Sequence, residues 1–197
     1  MKDVIINHLM SNIIKYKNFD ENKLKEIKYG IESFYLTVSK LIVIFALAYI
    51  MGLFKSLCIF VFFYSLLRLN GFGLHAKKSW QCWVASVIVF LLIPYLCANL
   101  HFNKLFLLLI SGLSLILIIL FSPADTEKRP IISFKKRLIH KILCSITVLI
   151  YTFSLMFLQN DFLCNIIFFS IILETLMILP ISYKIFGLKY NNYKKYL

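Results

Sequence analysis

In the stretch RLNGFGLHAKKSWQC, residues 68–82, a histidine and a cysteine stand seven positions apart beside Gly71, Gly73 and three cations. A cysteine attacks carbonyl carbon as its thiolate, and a nearby histidine or a positive field favours that form. His75 is the candidate base and Cys82 the candidate nucleophile. Arg68, Lys77, Lys78 and the positive end of a helix starting near Ser79 supply the field. Spacing then limits the fold. On one straight helix the two side chains would share a face but lie about 10.5 Å apart along the axis, whereas proton transfer needs heavy atoms roughly 3 Å apart. The segment must turn back, and Gly71 and Gly73 permit it. A non-helical or re-entrant stretch over 70–78, followed by a new helix from about Ser79, is therefore expected. Protein or water must cover it, because lipid cannot satisfy bare backbone. The same residues also fit a plain turn with a bystander cysteine.

Nothing else in the chain offers comparable chemistry. Cys58, Cys97, Cys144 and Cys164 lie in apolar runs, where a thiol usually acts as a small hydrophobe. The odd cysteine count and the absence of a CxxC pair predict neither a disulfide framework nor a zinc site, so no metal or other cofactor is expected. There is no HExxH and no pair of membrane aspartates, which sets other intramembrane protease types aside. Glu174 and Lys40 are costly in apolar runs unless paired or facing inward, so they are expected to pair across the bundle, or Lys40 to snorkel to an edge. Asn70, Ser79 and Asp125 are candidates to orient His75, as is no residue at all. Backbone N–H groups at the start of the Ser79 helix, or the Gln81 side chain, are candidate oxyanion donors.

The elements that must position this segment are membrane helices. With 60% hydrophobic residues, 16% charged residues and a mean hydropathy of +0.82, the chain exceeds what a soluble core of 197 residues needs. Apolar runs at 33–53, 56–69, 80–100, 105–121, 142–158 and 162–181 predict an all-α polytopic bundle of about six transmembrane or re-entrant helices. The second run is short enough to be re-entrant. Residues 1–30 lack the apolar centre of a signal peptide and predict an amphipathic helix on the inner membrane surface or a solubilising arm. The organisation is one integral-membrane domain over 1–197, with the bundle at 31–183 and a basic tail at 184–197. Placing both termini in the cytoplasm puts all but Lys40, Lys55 and Lys104 of the 22 basic residues on that side. The net charge of +13 then reports topology and attraction to anionic lipid rather than nucleic acid.

A second motif, FSPADTEKRPI at 121–131, closes the fourth run with Pro123 and Pro130 and opens a loop made basic by Lys128, Arg129, Lys135, Lys136 and Arg137. Positive-inside topology accounts for such a loop, and so does a docking surface for an acidic peptide. Together the two motifs resemble the accessory gene regulator B (AgrB) family, membrane cysteine endopeptidases that process precursors of Gram-positive quorum-sensing peptides. Arg68, Gly73, His75, Ala76 and Cys82, then Pro123, Ala124, Pro130 and Ile131, match that family's pattern. Phe72 departs from it, since many members carry Gly-Gly-x-His. The resemblance implies His75 as base and Cys82 as nucleophile, with Arg68 and Gly73 supporting the site or binding peptide. It also implies a precursor with an amphipathic leader and an acidic C-terminal tail, a thioester acyl-enzyme, cyclisation to a thiolactone or lactone, and a homodimer in the cell membrane. The rival expectations are a peptide transporter, which would show paired broken helices in two related halves, and a non-catalytic adaptor, which would tolerate loss of the Cys82 thiol.

Overall fold

The computed structural model describes residues 2–16, 19–75, 79–127 and 130–196. They fall into two compact units, Met1–Leu47 and Ala48–Leu197. In the first, α1 (Lys2–Tyr16) buries Ile6, and Asp20 starts α2 (Glu21–Ile50) by accepting from the Glu21 amide at 2.8 Å while its carbonyl accepts from Leu24. The single helix α2 carries both the charged residues after Asp20 and the first apolar run.

The second unit begins with the last turn of α2. A turn at Gly52, φ +70°, leads into α3 (Phe54–Gly71), followed by α4 (Ser79–Asn99), α5 (Lys104–Phe121), α6 (Phe134–Phe157), α7 (Asp161–Ile178), the short α8 (Pro180–Ile185) and a 3-10 turn at Asn192–Tyr196. The described residues are all-helical in their regular structure, and six helices, α2 to α7, are long and apolar enough to cross a membrane.

Besides α2, which starts at Glu21 instead of 33, three helices differ from the sequence expectation. α3 has 18 residues, about 27 Å at helical rise, which makes it long and apolar enough for the full span that the sequence allowed beside a re-entrant segment. Its length was hidden because Arg68 and Asn70 resemble a polar boundary, although both lie on the helix. α6 starts at Phe134 instead of 142, so Lys135, Lys136, Arg137 and Lys141 belong to its first two turns and the loop before it is shorter than expected. α7 stops at Ile178 rather than continuing to 181, since Pro180 disfavours helical backbone at Leu179 and supplies no amide to continue the ladder.

Within this unit α7 is the centre. Of its apolar window 61% is buried, against 28% or less for every other span, and α3, α4, α5 and α6 all pack on it. Its burial runs around the whole circumference, through Ile166, Ile167, Phe168, Ile171, Leu173 and Ile178. The outer faces of the surrounding helices carry exposed apolar side chains such as Leu109 and Leu149, as a lipid-facing surface requires. Polar anchors fix the packing. The Tyr151 hydroxyl donates to the Phe63 carbonyl at 3.0 Å, joining α6 to α3. At the N-terminal end of α7, the Asn165 amide donates to the carbonyls of Leu100 at 2.6 Å and Cys97 at 3.3 Å, closing the end of α4 onto it. Asn165→Ala should therefore lower the unfolding free energy in mixed detergent micelles by about 1 kcal/mol; an unchanged denaturation midpoint would show that these bonds do not hold α4 to α7.

Candidate active site

The opposite end of the bundle gathers the C-terminus of α3, the start of α4, the C-terminus of α5, the start of α6 and the C-terminus of α7. The chain leaves α3 at Gly71, is non-helical over residues 72–75, and α4 begins at Ser79. The helix start at Ser79 is as expected, and the non-helical stretch is shorter at its beginning than the expected 70–78, because Asn70 and Gly71 complete α3; residues 76–78 lie outside the described residues. His75 is the exposed last described residue of the turn, and Cys82 lies partly buried in the first turn of α4. Lys77 and Lys78, expected to supply positive field, and Lys128 and Arg129, expected on the basic loop, lie outside the described residues.

What fixes the turn is a buried ion pair. Glu174 on α7 is fully buried, and its Oε2 stands 3.7 Å from Nη1 of Arg68, whose side chain is 22% exposed. Arg68 is thus the cation that answers Glu174, where the sequence offered Lys40 as a partner or as a residue snorkelling to an edge. Its other nitrogen, Nη2, reaches forward and donates to the carbonyl of Leu74 at 2.9 Å and, at 3.4 Å, to that of Gly73. One guanidinium therefore couples the α7 carboxylate to the backbone immediately before His75.

The two glycines are required by this packing. A Cβ on Gly71 would overlap the Glu174 carboxylate. Gly73 has φ +95°, and a Cβ there would meet the Met177 carbonyl oxygen at 2.7 Å. Between them Phe72 holds φ +61° with ψ −110°, backbone that glycine adopts freely and phenylalanine does not. Its departure from the Gly-Gly pattern is accommodated by an edge-to-face contact with His140 at 5.0 Å, and His140 Nδ1 is 3.2 Å from Asn70 Oδ1.

The turn is also tied to the second motif. Gly73 donates its amide to the Ala124 carbonyl at 2.8 Å, and Ala124 donates to the Gly71 carbonyl at 3.0 Å. Leu74 donates to the Met177 carbonyl at 2.9 Å, satisfying one of the carbonyls left over at the end of α7. The second motif is held in turn from the C-terminal side. Asp125, buried, accepts the amides of Asn192 at 2.9 Å and Tyr193 at 2.8 Å. The Tyr183 hydroxyl donates to the carbonyls of Ala124 and Asp125, and the Tyr190 hydroxyl to that of Phe121. Burial pushes both phenols up, Tyr190 to about 12 in spite of the opposing Arg137 charge, so both stay protonated donors. On the surface Lys195 reaches Glu127 at 2.9 Å.

The turn thus brings Arg68 and Gly73 together with Ala124. Of the candidates to orient His75, Asn70 stands against His140 and Asp125 accepts two tail amides. Glu174, Tyr183, Tyr190 and Asn192 carry no mark of a site residue in the sequence pattern, and Asp125 serves the tail amides. The isolated membrane carboxylate signals only the cost of burying Glu174, and the basic tail gives no signal for Tyr183, Tyr190 or Asn192.

These features define a polytopic helical membrane protein with a polar, backbone-locked turn at one end of the bundle, His75 on that turn and Cys82 near the start of the next helix. A family model described as Accessory gene regulator B matches residues 5–178. The sequence is 32% identical over 190 residues to a putative AgrB-like protein of Clostridium acetobutylicum, covering 92% of this chain and 87% of that one. It is 31% identical over 196 residues to a putative AgrB-like protein of Listeria monocytogenes, covering 100% and 93%. It is 30% identical over 180 residues to the accessory gene regulator protein B of Staphylococcus aureus, covering 90% and 93%. No solved structure matches. The chain belongs to the accessory gene regulator B family, which acts in quorum sensing.

Removing Arg68 strands a buried carboxylate, whereas neutralising both partners does not. Arg68→Met should cost about 3–5 kcal/mol of stability, and Arg68→Met combined with Glu174→Gln should cost clearly less. A double-mutant cycle by chemical unfolding in detergent measures the coupling, and strictly additive losses would mean that the two groups do not act as a pair.

Proposed function

We propose that the protein is a membrane cysteine endopeptidase that removes the acidic C-terminal tail from a quorum-sensing precursor peptide. The observation that carries this reading is that the turn ending at His75 is locked by Arg68, Ala124 and Met177 only a few residues before α4 begins and delivers Cys82 in its first turn. A base on a fixed turn, followed within a few residues by a nucleophile near a helix N-terminus, supports acyl transfer.

In this reaction His75 takes the Cys82 proton and the thiolate attacks the carbonyl joining signal to tail. The tetrahedral oxyanion is met by the unsatisfied N–H groups of the first turn of α4 or by Gln81. Collapse breaks the C–N bond, His75 returns its proton to the departing amine, and a thioester joins the signal segment to Cys82. A cysteine or serine within the peptide then attacks the thioester, giving a thiolactone or lactone and restoring the thiol. Because a thioester is formed from an amide, removal of the tail or of the product draws the sequence forward.

Lys77, Lys78, Lys128 and Arg129 receive the acidic tail, and the peptide's amphipathic leader lies on the bilayer. The protein works as a homodimer in the cell membrane, with both termini and the His75 end in the cytoplasm. Positive-inside bias supports this orientation, since the basic residues of α6 and of the tail collect at that end.

The test is co-expression with the precursor encoded nearest to this protein, followed by mass spectrometry of the peptide. Wild type should release the tail. Cys82→Ser and His75→Ala should insert normally and lose about 10²–10⁴-fold or more of the cleavage. Processing by Cys82→Ser at the wild-type rate would overturn the assignment, and an intact precursor whose export still depends on the protein would favour a transporter.

A further inference from the structure

A cleft of about 640 Å³ lies beside the locked turn, between the end of α5, the start of α6 and the returning tail. Its apolar wall includes Leu120, Phe134 and Leu138, and its basic residues are Arg137 and Lys141. The two cations are spaced i, i+4 and share a face of α6 within its first two turns. Neither is answered by a carboxylate among the described residues. Arg137 lies over the Tyr193 ring at 3.2 Å, but its Nη1 is buried without a hydrogen-bond partner. Lys141 makes no ion pair among the described residues. Cations at the start of a helix also oppose its dipole, so this end of α6 is electrostatically unfavourable until an anion is present.

The apolar side of the cleft belongs to the perimeter of the bundle. Leu120 is 62% exposed, Phe134 79% and Leu138 45%, on helices that are long and apolar enough to span the bilayer. An occupant must therefore place a negative group against Arg137 and Lys141 while laying hydrocarbon along Leu120 and Leu138. A soluble acidic peptide meets the first demand and leaves the second unmet. A phospholipid with an anionic headgroup meets both, and basic pockets between spans at the cytoplasmic face suit such headgroups.

We propose that this cleft is a binding site for one anionic phospholipid, its headgroup on Arg137 and Lys141 and an acyl chain along α5 and α6. Because Tyr190, Asn191 and Tyr193 also line the cleft, a bound lipid would rest against the tail that clasps Asp125.

The test uses the full chain purified in detergent and titrated with phosphatidylglycerol or phosphatidylcholine, with native mass spectrometry counting retained lipid. Wild type should retain one phosphatidylglycerol in preference to phosphatidylcholine. Lys141→Glu and Arg137→Gln should each weaken that retention about fivefold or more. In an arm that needs no variant, a photoactivatable phosphatidylglycerol should crosslink within 120–141 or 190–193. Equal retention of the two lipids, crosslinks confined to other surfaces, or a Glu-rich soluble peptide that binds the cleft and is not displaced by phosphatidylglycerol would each overturn the proposal.

Discussion

A carboxylate buried at the centre of a helical bundle must find a cation, and for Glu174 that cation is Arg68. The pairing draws Arg68 inward from the last turns of α3, and the same guanidinium then reaches the carbonyls of Gly73 and Leu74. Gly71 must be bare because the Glu174 carboxylate occupies the space of a side chain there, and Gly73 must be bare because the chain bends against the end of α7. Replacing such a pair with well-packed hydrocarbon often costs nothing in stability, so its value here is better read as geometric. Hydrocarbon would fill the same volume without telling the chain where to turn.

Around that pair the molecule adds backbone rather than side-chain chemistry. The reciprocal bonds between Gly71, Gly73 and Ala124 join two motifs that are far apart in sequence, and Met177 closes the third side. The Ala124 segment is itself held by Tyr183 and by Asp125, whose carboxylate collects two amides of the returning tail. Each layer fixes the one inside it. His75, exposed at the end of the turn, is positioned by groups none of which needs to touch a substrate.

The helices were legible because membrane spans are written in composition, and six apolar runs became six long helices. The break between α3 and α4 was legible because seven residues of helix would hold His75 and Cys82 too far apart, and glycines stood where a turn was needed. Boundaries failed where polarity and position disagreed. Arg68 reads as the edge of a membrane, yet it sits inside a helix because its partner lies on another element far along the chain. Lys135 to Lys141 read as a loop and are a helix. The role of Glu174 was half visible, since its cost could be inferred but its partner could not. The tail was missed altogether, because a charged segment that donates two amides to a buried carboxylate looks, in one dimension, like any solvated end.

The chain is synthesised in an order that bears on the Leu74 bond to Met177. α3 and the start of α4 leave the ribosome before residue 177 is made. During that interval Arg68 has no Glu174, Gly73 has no Ala124, and the turn has nothing to lock against. The turn therefore reaches its final geometry only after α7 is in place and its last carbonyls can meet it.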